Sequence, residues 1–142
     1  MSSCFKIDGI EFTRAVVSEP ERSFSIVDGE NAGRLIATLK MERDVLGTFY
    51  NYTLTIDHSF MADEEYFELY NLVSAPVDSH IIEVPFNGET LIFNAYVTRG
   101  KDNLKGITNG RNIWSELSLN FVATEPTRRP SQWSTLSIKI YH

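Results

Sequence analysis

Polar and apolar residues alternate over several stretches of this chain, and alternation with period two is typical of half-buried β-strands. It predicts strands within or at residues 4–12, 22–27, 34–43, 50–57, 80–86, 91–98 and 115–124. The Asn87-Gly88 pair accepts positive φ at little cost, so residues 80–98 are predicted to form a hairpin. A turn at Gly47 joins two strands into a longer predicted hairpin, residues 34–57.

One segment, residues 60–73, has the apolar spacing of an α-helix instead. Its apolar stripe consists of Ala62, Tyr66, Leu69 and Val73, widened by Phe67 and Tyr70. Ser59 is the candidate N-cap, the acidic residues 63–65 favour the first turn, and Pro76 ends the helix. The sequence therefore predicts a mainly β fold with one flanking helix.

Two segments fall outside this scheme. Residues 99–114 contain three glycines and little apolar material, which predicts a long functional or mobile loop. In residues 126–142, prolines bracket Arg128 and Arg129, and a further apolar row follows at Leu136, Ile138 and Ile140. We therefore predict a domain at 1–125 and an extended C-terminal arm at 126–142 that adds a strand to a neighbouring sheet.

The composition narrows the class of protein. A chain of 142 residues with 42% hydrophobic and 23% charged residues fits one globular domain. The single cysteine, Cys4, excludes an intrachain disulfide, and neither a signal peptide nor a membrane span is expected. The net charge of −6 opposes tight binding to nucleic acid but not passage of DNA through a lumen.

The chemistry-bearing residues predict neither a catalytic site nor a cofactor. None of the histidines, His58, His80 and His142, belongs to a nucleophile motif. A group of carboxylates and one histidine at a strand–helix junction would suit a metal, but the same acids also favour a helix N-terminus. That group is Asp57, His58, Asp63, Glu64 and Glu65. We favour the second interpretation and predict no metal site.

Two further groups admit two interpretations each. The aromatic residues Tyr50, Tyr52, Tyr96, Trp114 and Trp133 suit either a carbohydrate-binding platform or packing in the core and at interfaces. Arg34, Arg43 and Asp44 flank the turn of the 34–57 hairpin. They suit either an ion pair between subunits or a solvated turn.

The stretch "FSIVDGENAGRLIATLKMERDVLGTFYNYTLTI", followed by the acidic helix, "SAPVDSH" and "FVATEPTRRP", resembles small structural proteins from the tail modules of phages and prophages of Gram-positive bacteria. The likeness covers roughly residues 5–130 and is one of pattern and element order. Such proteins are similar to the tail-tube family, which includes tube proteins and the N-terminal part of distal tail proteins. The resemblance implies a tail-tube-like β-sandwich that assembles into rings, commonly of six.

The resemblance also implies a role. The protein would be a non-enzymatic virion component of the tail tube or tail tip and baseplate, made in the host cytoplasm, with neighbouring tail proteins as partners. DNA would only pass through the ring. The candidate subunit interface then comprises Arg34, Arg43, Asp44, Tyr50, Tyr52, Arg111, Trp114, Leu136, Ile138 and Ile140. The alternative function is a carbohydrate-binding β-sandwich module that serves adsorption to the host surface.

Overall fold

A computed structural model describes residues 5–30, 32–34 and 39–130, and of Arg34 it describes the backbone alone. The fold is mainly β with one helix, as predicted. The strands are β1 Lys6–Ile7, β2 Glu21–Asp28, β3 Gly33–Arg34, β4 Met41–Glu42, β5 Val45–Ile56, β6 His80–Phe86, β7 Glu89–Lys101, β8 Leu104–Thr108, β9 Arg111–Trp114 and β10 Leu117–Ala123. The helix α1 is Asp63–Val73.

Six of the strands form one antiparallel sheet in the order β1-β6-β7-β10-β5-β2. β3 pairs with β4 and β8 pairs with β9 in two small sheets. The predicted alternation is confirmed in the large sheet, because every second residue is buried in β6, in β10 and in β5 from Thr48 onward. In β10, which lies within the strand predicted at 115–124, the buried residues are Leu117, Leu119, Phe121 and Ala123.

The large sheet curls, so that side chains from opposite ends meet across its inner face. β5 and β6 are separated in the sheet by β7 and β10. Even so, the ring of Tyr50 on β5 lies 5.0 Å from that of Phe86 on β6, edge to face. The hydroxyl of Tyr52 donates a 2.8 Å hydrogen bond to the carbonyl of Pro85, and the Arg22 guanidinium lies 5.1 Å from the centre of the Phe86 ring. The core therefore lies inside the curl.

Helix α1 covers this core and confirms the predicted helix, although its start differs. Tyr66, Leu69 and Val73 are buried in the same apolar cluster as the inner face of the sheet. The helix begins at Asp63, and the Ala62 amide donates to the Glu65 carboxylate. The Ser59 N-cap prediction is wrong, because the Ser59 amide donates to Asp57 in a turn before the helix. Phe67 is 66% exposed and does not widen the buried stripe.

The 80–98 hairpin is confirmed, with β6 and β7 joined at Asn87-Gly88 and Asn87 at φ 38°. A second tight turn lies at Asp8-Gly9, where both residues have positive φ. Asp8 also ties the turn to β6. Its carboxylate accepts a hydrogen bond of 2.7 Å from Nδ1 of the buried His80 and one of 2.8 Å from the Ile81 amide.

The predicted 34–57 hairpin is wrong in its strand pairing. β5 pairs with β2 on one side and with β10 on the other, so it has no free edge for residues 34–43. The long hairpin is therefore β2 and β5, with β3 and β4 in its connection. Sequence proximity suggested the wrong partner, because the residues between β2 and β5 make their own small ribbon.

The predicted long loop at 99–114 is also wrong. β7 runs on to Lys101, and β8 and β9 form a hairpin around Asn109-Gly110, both at positive φ. Its strands are mostly exposed, so they carry little of the apolar alternation that identified the other strands.

The start of the predicted C-terminal arm lies on the fold itself. The Thr48 amide donates to the Arg128 carbonyl at 2.8 Å, and the Thr127 amide donates to the Thr48 carbonyl at 2.9 Å. A Cβ built on Gly47 would lie 2.5 Å from the Pro126 Cβ, so the absence of a side chain at Gly47 permits this contact. Residues 131–142, including Leu136, Ile138 and Ile140, lie outside the described residues.

Candidate functional site

The outer half of the β2–β5 hairpin carries an unusual number of exposed apolar residues. We call residues 24–30, 32–34 and 39–48 the projecting ribbon. Its exposed apolar side chains are Phe24 at 67%, Ile26 at 46%, Val27 at 37%, Leu39 at 68%, Met41 at 38% and Leu46 at 50%. Monomeric proteins seldom leave so many large apolar side chains together in water, so this is a candidate assembly surface.

One carboxylate, on Asp28, joins the two sides of the projecting ribbon. Asp28 accepts hydrogen bonds from Nε of Arg43 at 2.8 Å and from the Asp44 amide at 3.2 Å. The hydrogen bond from Arg43 holds the pKa of Asp28 below its usual range. The Asp44 carboxylate lies over Gly29, where an added Cβ would stand 2.5 Å from its Oδ2.

These contacts bear on the predicted interface residues of this region. Arg43 has a partner within its own chain, Asp28, so a pair between Arg43 and another subunit stays a prediction that would have to compete with this contact. Tyr50 and Tyr52 are buried in their own core at 9% and 2% exposure. Their predicted contact with a neighbouring subunit stays a prediction, and in this conformation the core encloses both side chains. Burial raises the pKa of Tyr52 to about 12, so it remains a neutral hydrogen-bond donor.

A second surface lies between α1 and the β8–β9 hairpin, and we call it the aromatic groove. Its volume is about 890 Å³. It is lined by Asp63, Glu64, Tyr66, Phe67, Tyr70, Asp102, Gly110, Arg111, Asn112 and Trp114. Phe67 on α1 and Trp114 on β9 both line it and are substantially exposed, at 66% and 39%. The groove lies within the 300–1,000 Å³ typical of ligand pockets.

Polar contacts hold the two walls of the aromatic groove together. Nε and Nη2 of Arg111 donate to the two oxygens of Asp63, both at 2.7 Å, which is a bidentate pair. The hydroxyl of Tyr66 donates to Asp102 at 2.6 Å. Burial and this hydrogen bond raise the pKa of Tyr66, so its hydroxyl stays protonated.

Tyr66, which lines the aromatic groove, contacts two further rings. The ring of His58 stacks on that of Tyr66 at 3.5 Å and 11°, and Tyr70 meets Tyr66 edge to face at 6.2 Å. Nε2 of His58 lies 2.7 Å from the carbonyl of Ser115, so that nitrogen carries the proton and donates. The ring positions on α1 are thus fixed by contacts with the strands.

Two residues of the aromatic groove, Arg111 and Trp114, were predicted from the sequence as interface residues, but in a loop and with no connection to α1. The Asn109-Gly110 pair is the same turn signal that identified the 80–98 hairpin, and it could have located this one. Of the residues considered for a carbohydrate-binding platform, Tyr50 and Tyr52 are buried in the core, and Trp133 lies outside the described residues. Trp114 instead joins rings of the helix.

Three of the acidic residues considered as metal ligands accept hydrogen bonds from other groups. Asp57 accepts from the Ser59 amide, Asp63 from Arg111, and Glu65 from the Ala62 amide. Among residues 5–30, 32–34 and 39–130, no group of three or more histidine, cysteine or acidic side chains is arranged to hold a metal ion. In the same part of the chain, no helix has the length and apolar character needed to cross a membrane.

No protein family that was compared matches this chain, and no curated protein matches it either.

Proposed function

We propose that this protein is a non-enzymatic structural component of a phage tail, which assembles into a closed ring through the projecting ribbon. The proposal rests on the resemblance of residues 5–130 to tail-module proteins and on one structural observation that carries it. That observation is the exposed apolar surface of the ribbon, which includes Phe24, Ile26 and Leu46. In this proposal the curled sheet is a tail-tube-like β-sandwich, supported by the packing of β5 against β6 across the core.

The main chain of β2 adds to the case for assembly. Thr48 exchanges hydrogen bonds with Thr127 and Arg128 on the β10 side of β5. Main-chain groups alternate sides along a strand, so the partner of Thr48 in β2, Ile26, directs its amide and carbonyl away from β5. Phe24 lies two residues before Ile26 on β2, so its amide and carbonyl also point away from β5. β2 ends the sheet, and no other described strand pairs with it, so this edge offers both backbone and apolar side chains to a neighbour.

A ring needs two different patches, because a head-to-tail contact joins one surface of a subunit to another surface of the next. The outer face of the sheet supplies a second apolar patch. Ile81 on β6 and Ile92 and Tyr96 on β7 share this face, at 51%, 49% and 40% exposure. We propose that the projecting ribbon of one subunit packs on this outer patch of the next.

The ring, commonly of six in the resembled family, would belong to the tail tube or the tail tip of the virion and contact neighbouring tail proteins along its axis. DNA would pass through its lumen without specific contacts. The net charge of −6 favours such passage, because an acidic protein does not retain the phosphate backbone. Thr127 and Arg128 already contact β5 of their own chain, so in this proposal the predicted arm would contribute to the seam through residues 131–142, which lie outside the described residues.

Sedimentation of single variants tests the two patches. Ile26→Lys in the ribbon and Ile92→Lys on the outer patch should each abolish assembly, because a buried unpaired ammonium at every seam is costly. Ile107→Lys is the matched control, since Ile107 is 65% exposed on β8 and lies in neither patch. All three variants should melt like the wild-type monomer, because exposed substitutions change stability by only about 0.5 kcal/mol.

Mixing the two disruptive variants tests the head-to-tail arrangement. An Ile26→Lys subunit keeps its outer patch, and an Ile92→Lys subunit keeps its ribbon, so the mixture should form heterodimers and stop there. Rings formed by either variant alone would contradict the proposed seam. A mixture that remains monomeric would also contradict it, because the two intact patches should still meet.

A further inference from the structure

We propose that the aromatic groove is a binding site for an oligosaccharide that carries free amino groups. This inference goes beyond the ring and does not depend on it. The groove lies between α1 and the β8–β9 hairpin and shares no residue with the projecting ribbon or with the outer patch. It is therefore available whether the protein is a monomer or a ring built as proposed above.

The rings of the aromatic groove suit a sugar. Phe67 and Tyr70 on α1 and Trp114 on β9 present partly exposed ring surfaces at 66%, 39% and 39%. These rings come from two separate elements and border one concave space of about 890 Å³. Apolar C–H faces of a pyranose pack on such rings, and the concave space suits a chain of several sugar units better than a lone ion.

The charged side chains that line the aromatic groove favour the binding of a cationic ligand. Its lining contains three carboxylates, on Asp63, Glu64 and Asp102, and one cation, Arg111. The Arg111 guanidinium is matched by Asp63, with both carboxylate oxygens accepting. Glu64 and Asp102 therefore leave the groove with an excess of about two negative charges, beside aromatic rings that themselves attract cations.

The polar groups of the aromatic groove are also held in place. Tyr66 donates to one oxygen of Asp102, so that carboxylate keeps its other oxygen as an acceptor for a hydroxyl or an ammonium group. The Arg111–Asp63 pair fixes the hairpin against the helix on the opposite side. An amino sugar can make both kinds of contact at the same time: its C–H face packs on the rings, and its ammonium group lies near Asp102.

Calorimetric titration with three trisaccharides tests this proposal in buffer with 150 mM salt. The probes are a β-1,4-linked glucosamine trimer, its neutral N-acetylated counterpart and cellotriose. We expect one glucosamine trimer to bind per subunit, at least tenfold more tightly than either neutral trisaccharide. Equal affinity for all three would overturn the assignment of a cationic ligand, and the absence of binding would overturn the site.

Variants separate the groove from general attraction between a cationic ligand and an acidic protein. Phe67→Ala should weaken binding of the glucosamine trimer at least tenfold. Phe60→Ala should not change it, because Phe60 is equally exposed at 68% but does not line the groove. Asp102→Asn keeps an acceptor for Tyr66 and should weaken only the cationic trimer. Binding that is insensitive to Phe67→Ala, or equally sensitive to Phe60→Ala, would overturn the proposal.

Discussion

Replacement of Leu69 by alanine tests the packing that sets α1 against the sheet. Leu69 is fully buried at 0% exposure, in the cluster that joins the helix to the inner face. The change removes three carbon atoms from the core, which is about 2.4 kcal/mol at about 0.8 kcal/mol for each. The cavity left behind adds to this loss, so the expected destabilisation is about 3 kcal/mol within the usual range of about 2–5 kcal/mol.

Phe67→Ala provides the matched control on the same helix, two residues away. Phe67 is 66% exposed, so its removal should change stability by only about 0.5 kcal/mol. Urea denaturation followed by far-UV circular dichroism measures both free energies of unfolding, with the slope m as a check on two-state behaviour. A loss below about 0.5 kcal/mol for Leu69→Ala would show that this face of α1 does not pack on the core. The orientation of α1 described above would then be wrong, and so would the position of the aromatic groove, which α1 lines.

Two further predictions concern the ends of the sheet. Burial alone would raise the pKa of Asp8, but hydrogen bonds from His80 and from the Ile81 amide outweigh it and lower that pKa. A carboxyl with a lowered pKa stabilises the fold above its ordinary value and loses that effect as the pH falls through the folded-state pKa. In thermal melts, Asp8→Asn should therefore be less stable than wild type at pH 7, and the difference should begin to shrink once the pH falls below about 4 and disappear below the folded-state pKa; a difference that does not shrink between pH 5 and pH 2 would contradict this role. Gly47→Ala should cost about 1–3 kcal/mol, because its Cβ would lie 2.6 Å from the Arg128 carbonyl, whereas Gly88→Ala has open space and should be neutral. Equal melting temperatures for the two glycine variants would show that residues 126–130 do not pack on β5.

The sequence predicted those parts of the fold in which one face of an element is buried. Alternation identified β10 and the β6–β7 hairpin, and helical spacing identified α1, because each element has a continuous apolar row facing the core. The β8–β9 hairpin has no such row, since most of its residues are exposed and the Arg111–Asp63 pair attaches it to α1 from 48 residues away. Periodicity within a segment carries no information about such a distant contact.

Strand pairing and the environment of single residues were harder to predict. The partner of β5 is β2, and the intervening residues include the β3–β4 ribbon, so proximity in the chain was a poor guide. The burial of Tyr50 and Tyr52 was also hard to predict from the sequence. It depends on the curl of the sheet, which brings β5 and β6 together across the core. That the apolar side chains of β2 are exposed followed only from the structure.

Negative-stain electron microscopy of the purified wild-type protein, imaged beside the Ile26→Lys variant over a range of concentrations, tests the central claim most directly. The account predicts closed rings of uniform size for the wild type and single subunits for the variant, because the variant places a charge at every seam. Wild-type protein that remains monomeric at all concentrations, or rings that form equally well with Ile26→Lys, would contradict the claim that the projecting ribbon builds a ring.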